Sequence, residues 1–161
     1  MRHKKVAKKQ LAPDWKYSNI LVHKFINYVM RRGKKTIAEK VVYGAFDLMT
    51  EKAKKQGKEM TDPIEMLDAA IKNISPQMEV KSRRVGGANY QIPIPVRAER
   101  RMALVFRWII EAAQNKKGAT MAQRLADELF AAANNEGEAV KKKIDMHRMA
   151  EANRAFAHFA R

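Results

Sequence analysis

Cysteine is absent from this chain of 161 residues. That rules out disulfides and thiolate-bound metal, though it leaves the redox compartment open. No apolar run approaches the ~18 residues of a membrane span. Met1-Arg2-His3-Lys4-Lys5 leads into no apolar signal core, so the expectation is a cytosolic protein. There is no P-loop and no GxGxxG pattern to cradle a nucleotide. Acidic residues are scarce: 17 Asp and Glu stand against 33 Lys and Arg, a net charge of +16. Repulsion on that scale opposes compaction unless an anionic partner neutralises it. A phosphate backbone is the obvious partner, because each neutralised phosphate releases counterions. The hydrophobic fraction of 46% still supplies a core, so the chain is not simply a disordered polycation. Its length suits one domain.

What is present is most informative between Met78 and Val96. Met78, Val80 and Ser82 alternate with Glu79, Lys81 and Arg83, the period of a strand. Gly86-Gly87 is a two-residue hairpin signal. The return segment from Ala88 to Val96 is extended too, because Pro93 and Pro95 forbid helix and suit an edge strand. The result is a two-stranded arm with Lys81, Arg83 and Arg84 near a tip formed by Val85, Gly86, Gly87 and Ala88. An isolated hairpin is marginal in water, so the arm needs a partner, and its charge suggests nucleic acid. The plain alternative is a solvated surface hairpin.

The remainder reads as helices. Residues 1–17 lack periodicity and carry Arg2, Lys4, Lys5, Lys8, Lys9 and Lys16, which predicts a flexible basic arm; a solvated tail is the alternative. Ser18 or Asn19 caps a first helix expected to reach about Arg32, with Gly33 as its stop. Thr36 and Glu39 have the spacing of a capping box for a second helix ending at Gly57. Asp62-Pro63-Ile64-Glu65 opens a third, which stops at Ser75-Pro76. After the hairpin comes an apolar helix from about Ala98 to Asn115. Thr120 and Gln123 form a second capping box, for a helix ending near Asn134-Asn135, and Gly137 precedes the last helix. The expected fold is mainly α: a single domain of about six helices with a protruding two-stranded β-hairpin arm. Residues 18–161 form that domain, the hairpin lies at about 77–96, and residues 1–17 are the arm.

Cations recur along the helices. On the wheel of the fourth helix, Arg97, Arg100, Arg101 and Arg107 share one sector, together with Leu104 and Trp108. Arginine forks fit phosphate, and an exposed tryptophan would add a stacking surface; the alternative is that Trp108 packs into the core. Arg31, Arg32, Lys34 and Lys35 surround the first interhelical turn, and Lys116 and Lys117 precede Gly118. Lys141, Lys142 and Lys143 lie near the start of the last helix, against its dipole. That placement needs compensation, which a bound phosphate would provide. Any one cluster could be a solvated face; together they favour one extended anionic ligand. No catalytic residue, metal site or cofactor emerges. Asp145, His147 and Glu151 are the nearest approach, and positions two apart on a helix do not face each other.

Three blocks of residues carry a family resemblance. The first is Gly33-Lys34-Lys35 with Ala38-Glu39 and Val42-Tyr43. The second is Val80 to Gly87 with Tyr90-Gln91 and Pro93. The third is Val140-Lys141-Lys142 with Asp145, His147 to Asn153 and Ala155 to His158, and it includes Arg148. Together they resemble the universal small-subunit ribosomal protein seven family, in its bacterial or organellar form, over essentially the whole chain after Leu11. The resemblance implies a helical domain with a β-ribbon arm in the head of the small ribosomal subunit. It implies direct, early binding to the 3′ major domain of small-subunit rRNA, which organises head assembly. It also implies a position near the tRNA exit site and the mRNA path, with small-subunit ribosomal protein eleven and other head proteins as neighbours. Such a protein works in the ribosome, in the cytoplasm or an organellar matrix, without turnover. By position, Lys34-Lys35, Arg83-Arg84 and Lys141-Lys142 would touch RNA. Two departures stand out: Gln56 to Pro63 is longer than in familiar bacterial members, and the N-terminus is lysine-rich where the family has arginine. A DNA-architectural protein is the competing reading, since helices with a proline-bearing β arm also describe minor-groove benders.

Overall fold

The computed structural model describes residues 11–57 and 61–160. Arg2, Lys4, Lys5, Lys8 and Lys9 of the expected arm lie outside the described residues, as do residues 58–60 of the longer stretch. The described residues form α1 (Ile20–Val29), α2 (Lys35–Lys55), α3 (Pro63–Ile74), β1 (Met78–Val85), β2 (Ala88–Pro95), α4 (Ala98–Asn115), α5 (Met121–Ala133) and α6 (Glu138–Ala152). A 3-10 segment, Arg154–Ala160, follows. The architecture is thus mainly α, a single domain with one antiparallel hairpin.

Where chemistry within four residues sets a boundary, the element begins as expected. The Asn19 side chain accepts from Leu21 N–H at 2.7 Å to start α1. Asp62 accepts from Ile64 N–H at 2.9 Å, with Pro63 at the first helical position of α3. At α5 the capping box is complete: Gln123 N–H donates to Thr120 Oγ1 at 3.4 Å, and Thr120 N–H donates to Gln123 Oε1 at 3.1 Å.

Two expectations need correction. Helix α1 ends at Val29 rather than Arg32, because Met30 turns extended and Arg32 and Gly33 both adopt left-handed φ, 51° and 72°. That turn starts α2 at Lys35, so Thr36 is already helical. The N-cap is Lys34, which makes no side-chain capping bond, and Thr36 and Glu39 form no box.

The core lies among all six helices. Phe25 of α1 meets Phe106 of α4 with ring centroids 5.1 Å apart. Phe46 and Met49 of α2, Leu67 and Ile74 of α3, and Leu125 and Leu129 of α5 are wholly buried. Each such side chain contributes about 1.5–3 kcal/mol on leaving water. Helix α4 packs against α1, α3, α5 and α6 and is enclosed on most sides. Residues 14–17 form a turn docked on α2: the buried Asp14 accepts from Lys16 and Tyr17 N–H and from the Tyr43 hydroxyl, the last at 2.6 Å. Burial, then this bond to Asp14, pushes the Tyr43 phenol well above its ordinary range.

In the hairpin, Val85 pairs with Ala88 across Gly86-Gly87, whose φ values of 56° and 92° suit a primed turn matching the strands' twist. Pro93 and Pro95 oppose Val80 and Met78 at the base. The alternation has the expected period, yet Glu79 is buried there, facing α4. The arm also finds a partner within its own chain. Tyr90 packs on Phe156 and Phe159 of the 3-10 segment, at 5.2 and 5.3 Å.

Candidate nucleic-acid interface

At one end of the helical body, the left-handed turn after α1 projects Arg31 and Lys34 beside α4 and α5. Arg31, Lys34 and Arg124 rim a groove of about 320 Å³ floored by Val29, Ile37, Val41 and Met121. Arg31 is braced by a 2.9 Å bond from its Nη2 to Gln114 Oε1. It also borders a second groove, with Tyr28 and Arg107. The first groove has no carboxylate in its lining.

A further groove, of about 560 Å³, opens where α3, the start of β1, α4 and α6 converge. Lys72, Ser75, Gln77, Arg101, Lys143 and His147 line it. His147 Nε2 accepts from Gln77 N–H at 3.0 Å, which places the neutral ring's proton on Nδ1. Burial, and secondarily the Lys143 charge, holds His147 below its ordinary value of 6.5. His147 thus serves as the acceptor that fixes the Gln77 backbone at the entry to β1.

The hairpin presents Arg83 and Arg84 beside its turn, with Gly86, Gly87 and Ala88 exposed and Val85 half-buried. Arg83 donates to the Phe159 carbonyl at 2.8 Å, tying the arm to the 3-10 segment. Lower down, Lys81 and Arg100 both face the buried Glu79, at 3.6 and 3.1 Å.

Several cations expected to meet phosphate also have partners within the protein. Lys116 pairs with the buried Glu128 at 2.7 Å. Lys141 pairs with Glu138 and Lys142 with Glu111, each at 2.7 Å, while Lys143 donates to the Asn73 carbonyl. Lys141 and Lys142 thus have carboxylate partners at the start of α6, while Lys143 is held by a carbonyl and still lines a groove. For the exposed Glu138–Lys141 pair, bonding between the two lowers the carboxyl's pKa and raises the ammonium's. Trp108 is 6% exposed and offers no stacking face. The wheel placed it among arginines, but Leu104 and Trp108 are buried while Arg97, Arg100 and Arg107 of the same sector are exposed.

Arg32, Lys34, Arg84, Arg97, Arg107, Lys117 and Arg148 are exposed, and Lys35 is half-exposed. No ion pair among the described residues involves any of these eight. Sequence reasoning missed Lys72 and Arg124, which join grooves only through tertiary packing. It also missed Trp15, 75% exposed and edge-on to Tyr43 at 5.9 Å. Aromatic type beside Lys16 was the only available signal.

No helix among the described residues is long and apolar enough to cross a membrane. The family described as Ribosomal protein S7p/S5e matches residues 1–154. The chain is 55% identical over 159 residues to a protein of Thermotoga neapolitana named small ribosomal subunit protein uS7, covering 99% of both. Proteins of the same name from Teredinibacter turnerae and Dechloromonas aromatica are 53% and 52% identical, each over 98% of this chain and 97% of theirs. A basic helical body with an arginine-tipped hairpin, matched along almost its whole length, therefore belongs to the Ribosomal protein S7p/S5e family.

Proposed function

We propose that this protein is a structural constituent of the small ribosomal subunit that binds small-subunit rRNA directly, at the 3′ major domain, and so organises assembly of the head. Family membership supports the ribosomal role, which is structural and involves no turnover. The observation that carries the RNA reading is the pair of basic grooves with no carboxylate in either lining. They lie on a body whose net charge is +16. Arg101 borders one of them and Arg31, Lys34 and Arg124 border the other. The hairpin tip reaches toward the tRNA exit site, the mRNA path and small-subunit ribosomal protein eleven. Arg2, Lys4, Lys5, Lys8 and Lys9 extend the RNA contacts from the N-terminal arm.

The test is binding to a folded 3′-domain fragment of small-subunit rRNA, against duplex DNA of equal length, across a salt series. A preference for the rRNA that persists at moderate salt is the expected result, because shape recognition outlasts counterion release. Equal, steeply salt-sensitive binding to both would leave only polycation behaviour and reopen the DNA-architectural reading. Against that reading, the prolines sit at the hairpin's base, opposite Val80 and Met78, away from where a wedge would enter a base step.

The double substitution Arg83→Ala with Arg84→Ala separates the arm from the body. The main melting transition is expected to stay within about 0.5 kcal/mol of the parent, because neither side chain enters the core. Loss of the bond to Phe159 loosens the 3-10 segment, which Tyr90 still holds through Phe156 and Phe159, and is visible as modestly faster amide exchange there. Ribosome function should suffer more than rRNA affinity. A collapse of the main transition would show that the arm is integral to the fold.

A further inference from the structure

Three cations from three helices converge on the groove between α3, α4 and α6, with no carboxylate in its lining. Elsewhere the protein places Glu79, Glu111, Glu128 and Glu138 against its lysines and arginines; here it does not. Arg101 lends the groove a forked head whose Nη2 reaches the Val96 carbonyl only at 3.3 Å. Its Nε is buried with no acceptor among the described residues, and a buried donor left unmade is costly. Lys143 is steered by its 2.7 Å bond to the Asn73 carbonyl. Lys72 stands in the last turn of α3, exposed. His147 is fixed by Gln77 N–H. A tetrahedral oxyanion spreads its acceptors in three dimensions, whereas those of a carboxylate lie near one plane, and guanidinium and ammonium groups together suit it.

We propose that this groove is a phosphate-binding site, in which Lys72, Arg101 and Lys143 hold a single phosphate group from the backbone of the bound RNA. The proposal rests on the rRNA reading above for the source of the phosphate; the anion chemistry stands without it. The same chemistry would also accept free inorganic phosphate, so the experiment separates the two sources.

In the first arm, inorganic phosphate is titrated into the full-length protein at constant ionic strength, with chloride as the reference, and followed by NMR. The expected result is saturable shifts at His147, Gln77 and Lys72, together with an upward move of the His147 titration midpoint, since a neighbouring anion favours the imidazolium. In the second arm, Lys72→Gln, and Lys72→Gln combined with Lys143→Gln, bind the 3′-domain rRNA fragment across the salt series. Lys54→Gln, in the last turn of α2 and outside the groove, is the control for general loss of charge.

The double variant should bind roughly tenfold more weakly at low salt and lose about 1 from the salt slope, with the control near the parent. Lys72→Gln alone, which breaks no bond to the rest of the protein among the described residues, should show part of the same loss at an unchanged melting temperature. Phosphate shifts combined with an unaltered rRNA salt slope would overturn the RNA source and make the groove a free-anion site. No phosphate shifts and no change of slope would overturn the site altogether. Failure of the parent protein to bind the rRNA would refute the functional reading instead, and the first arm would still decide on the anion site.

Discussion

Glu128→Ala is expected to lower the stability of this protein by about 3–5 kcal/mol, because it opens a cavity at a wholly buried side chain and leaves a buried backbone donor without an acceptor. Glu128 is wholly buried on α5. One oxygen faces Lys116 Nζ at 2.7 Å, and the other accepts the Ala139 N–H at 2.9 Å. The single side chain therefore neutralises the α4–α5 connection and satisfies an orphan donor at the start of α6, where Gly137 provides no side-chain cap. The fit around it is tight: a Cβ on Gly137 would lie 2.8 Å from Glu128 Oε1, at a φ of 98° that side chains rarely adopt. Total stability for a domain is about 5–15 kcal/mol, so the loss should show as a drop of about 10 °C in melting temperature. Lys116→Ala should also destabilise, because it strands the wholly buried Glu128 charge, although water reaching the position of the 33%-exposed Lys116 offsets part of that cost. Glu128→Met together with Lys116→Met should recover much of the loss, since replacing both partners removes the stranded charge. Lys116→Ala should also move melting more than rRNA affinity. The opposite order would return Lys116 to the phosphate contacts and undo its assignment as a structural cation.

That reassignment shows what was legible in the chain. Signals confined to about four residues were readable: Asp62-Pro63 for α3, Thr120 and Gln123 for α5, Gly86-Gly87 for the hairpin. Each is a bond or a dihedral that the local sequence decides. The end of α1 failed on the same scale, because Arg32, a residue with no evident turn signal, takes the left-handed conformation beside Gly33. The 3-10 segment was invisible because it exists by packing Phe156 and Phe159 on Tyr90, a residue on the distant hairpin. Charge behaved likewise. That the protein is a cation carrier follows from composition, but which cations remain available depends on carboxylates far along the chain. Glu79 takes Arg100, Glu111 takes Lys142, and Glu128 takes Lys116. Trp108 was placed among arginines because a wheel assumes one buried face, whereas α4 contacts four other helices. The groove lined by Lys72, Arg101 and Lys143 draws on residues from three helices and the start of the hairpin, so spacing along the sequence could not have assembled it.

Arg100→Glu should damage the protein through the hairpin before it damages RNA binding directly. On sequence grounds Arg100 belongs to a phosphate-facing stripe, and a charge reversal there would weaken rRNA binding in a salt-dependent way. In the fold its Nε donates to Glu79 Oε2 at 3.1 Å, and the Glu79 side chain is only 7% exposed. The substitution would bring two carboxylates together at the base of the arm and leave Glu79 with Lys81, 3.6 Å away. The cost should be about 2 kcal/mol, below that of a fully buried pair because the Arg100 side chain is 44% exposed and water screens the site. Amide exchange should quicken in β1 and β2 while α2 and α5 keep their protection, since the anchor belongs to the arm. The decisive variant adds Glu79→Gln to Arg100→Glu. It removes the repulsion, should restore the hairpin's protection, and should restore whatever rRNA affinity was lost through misplacement of Arg83 and Arg84. A direct phosphate contact through Arg100 would leave the affinity low in the double variant even as protection returned. In that case Arg100 would serve both Glu79 and RNA, and the salt slope of the double variant would fall by about 1.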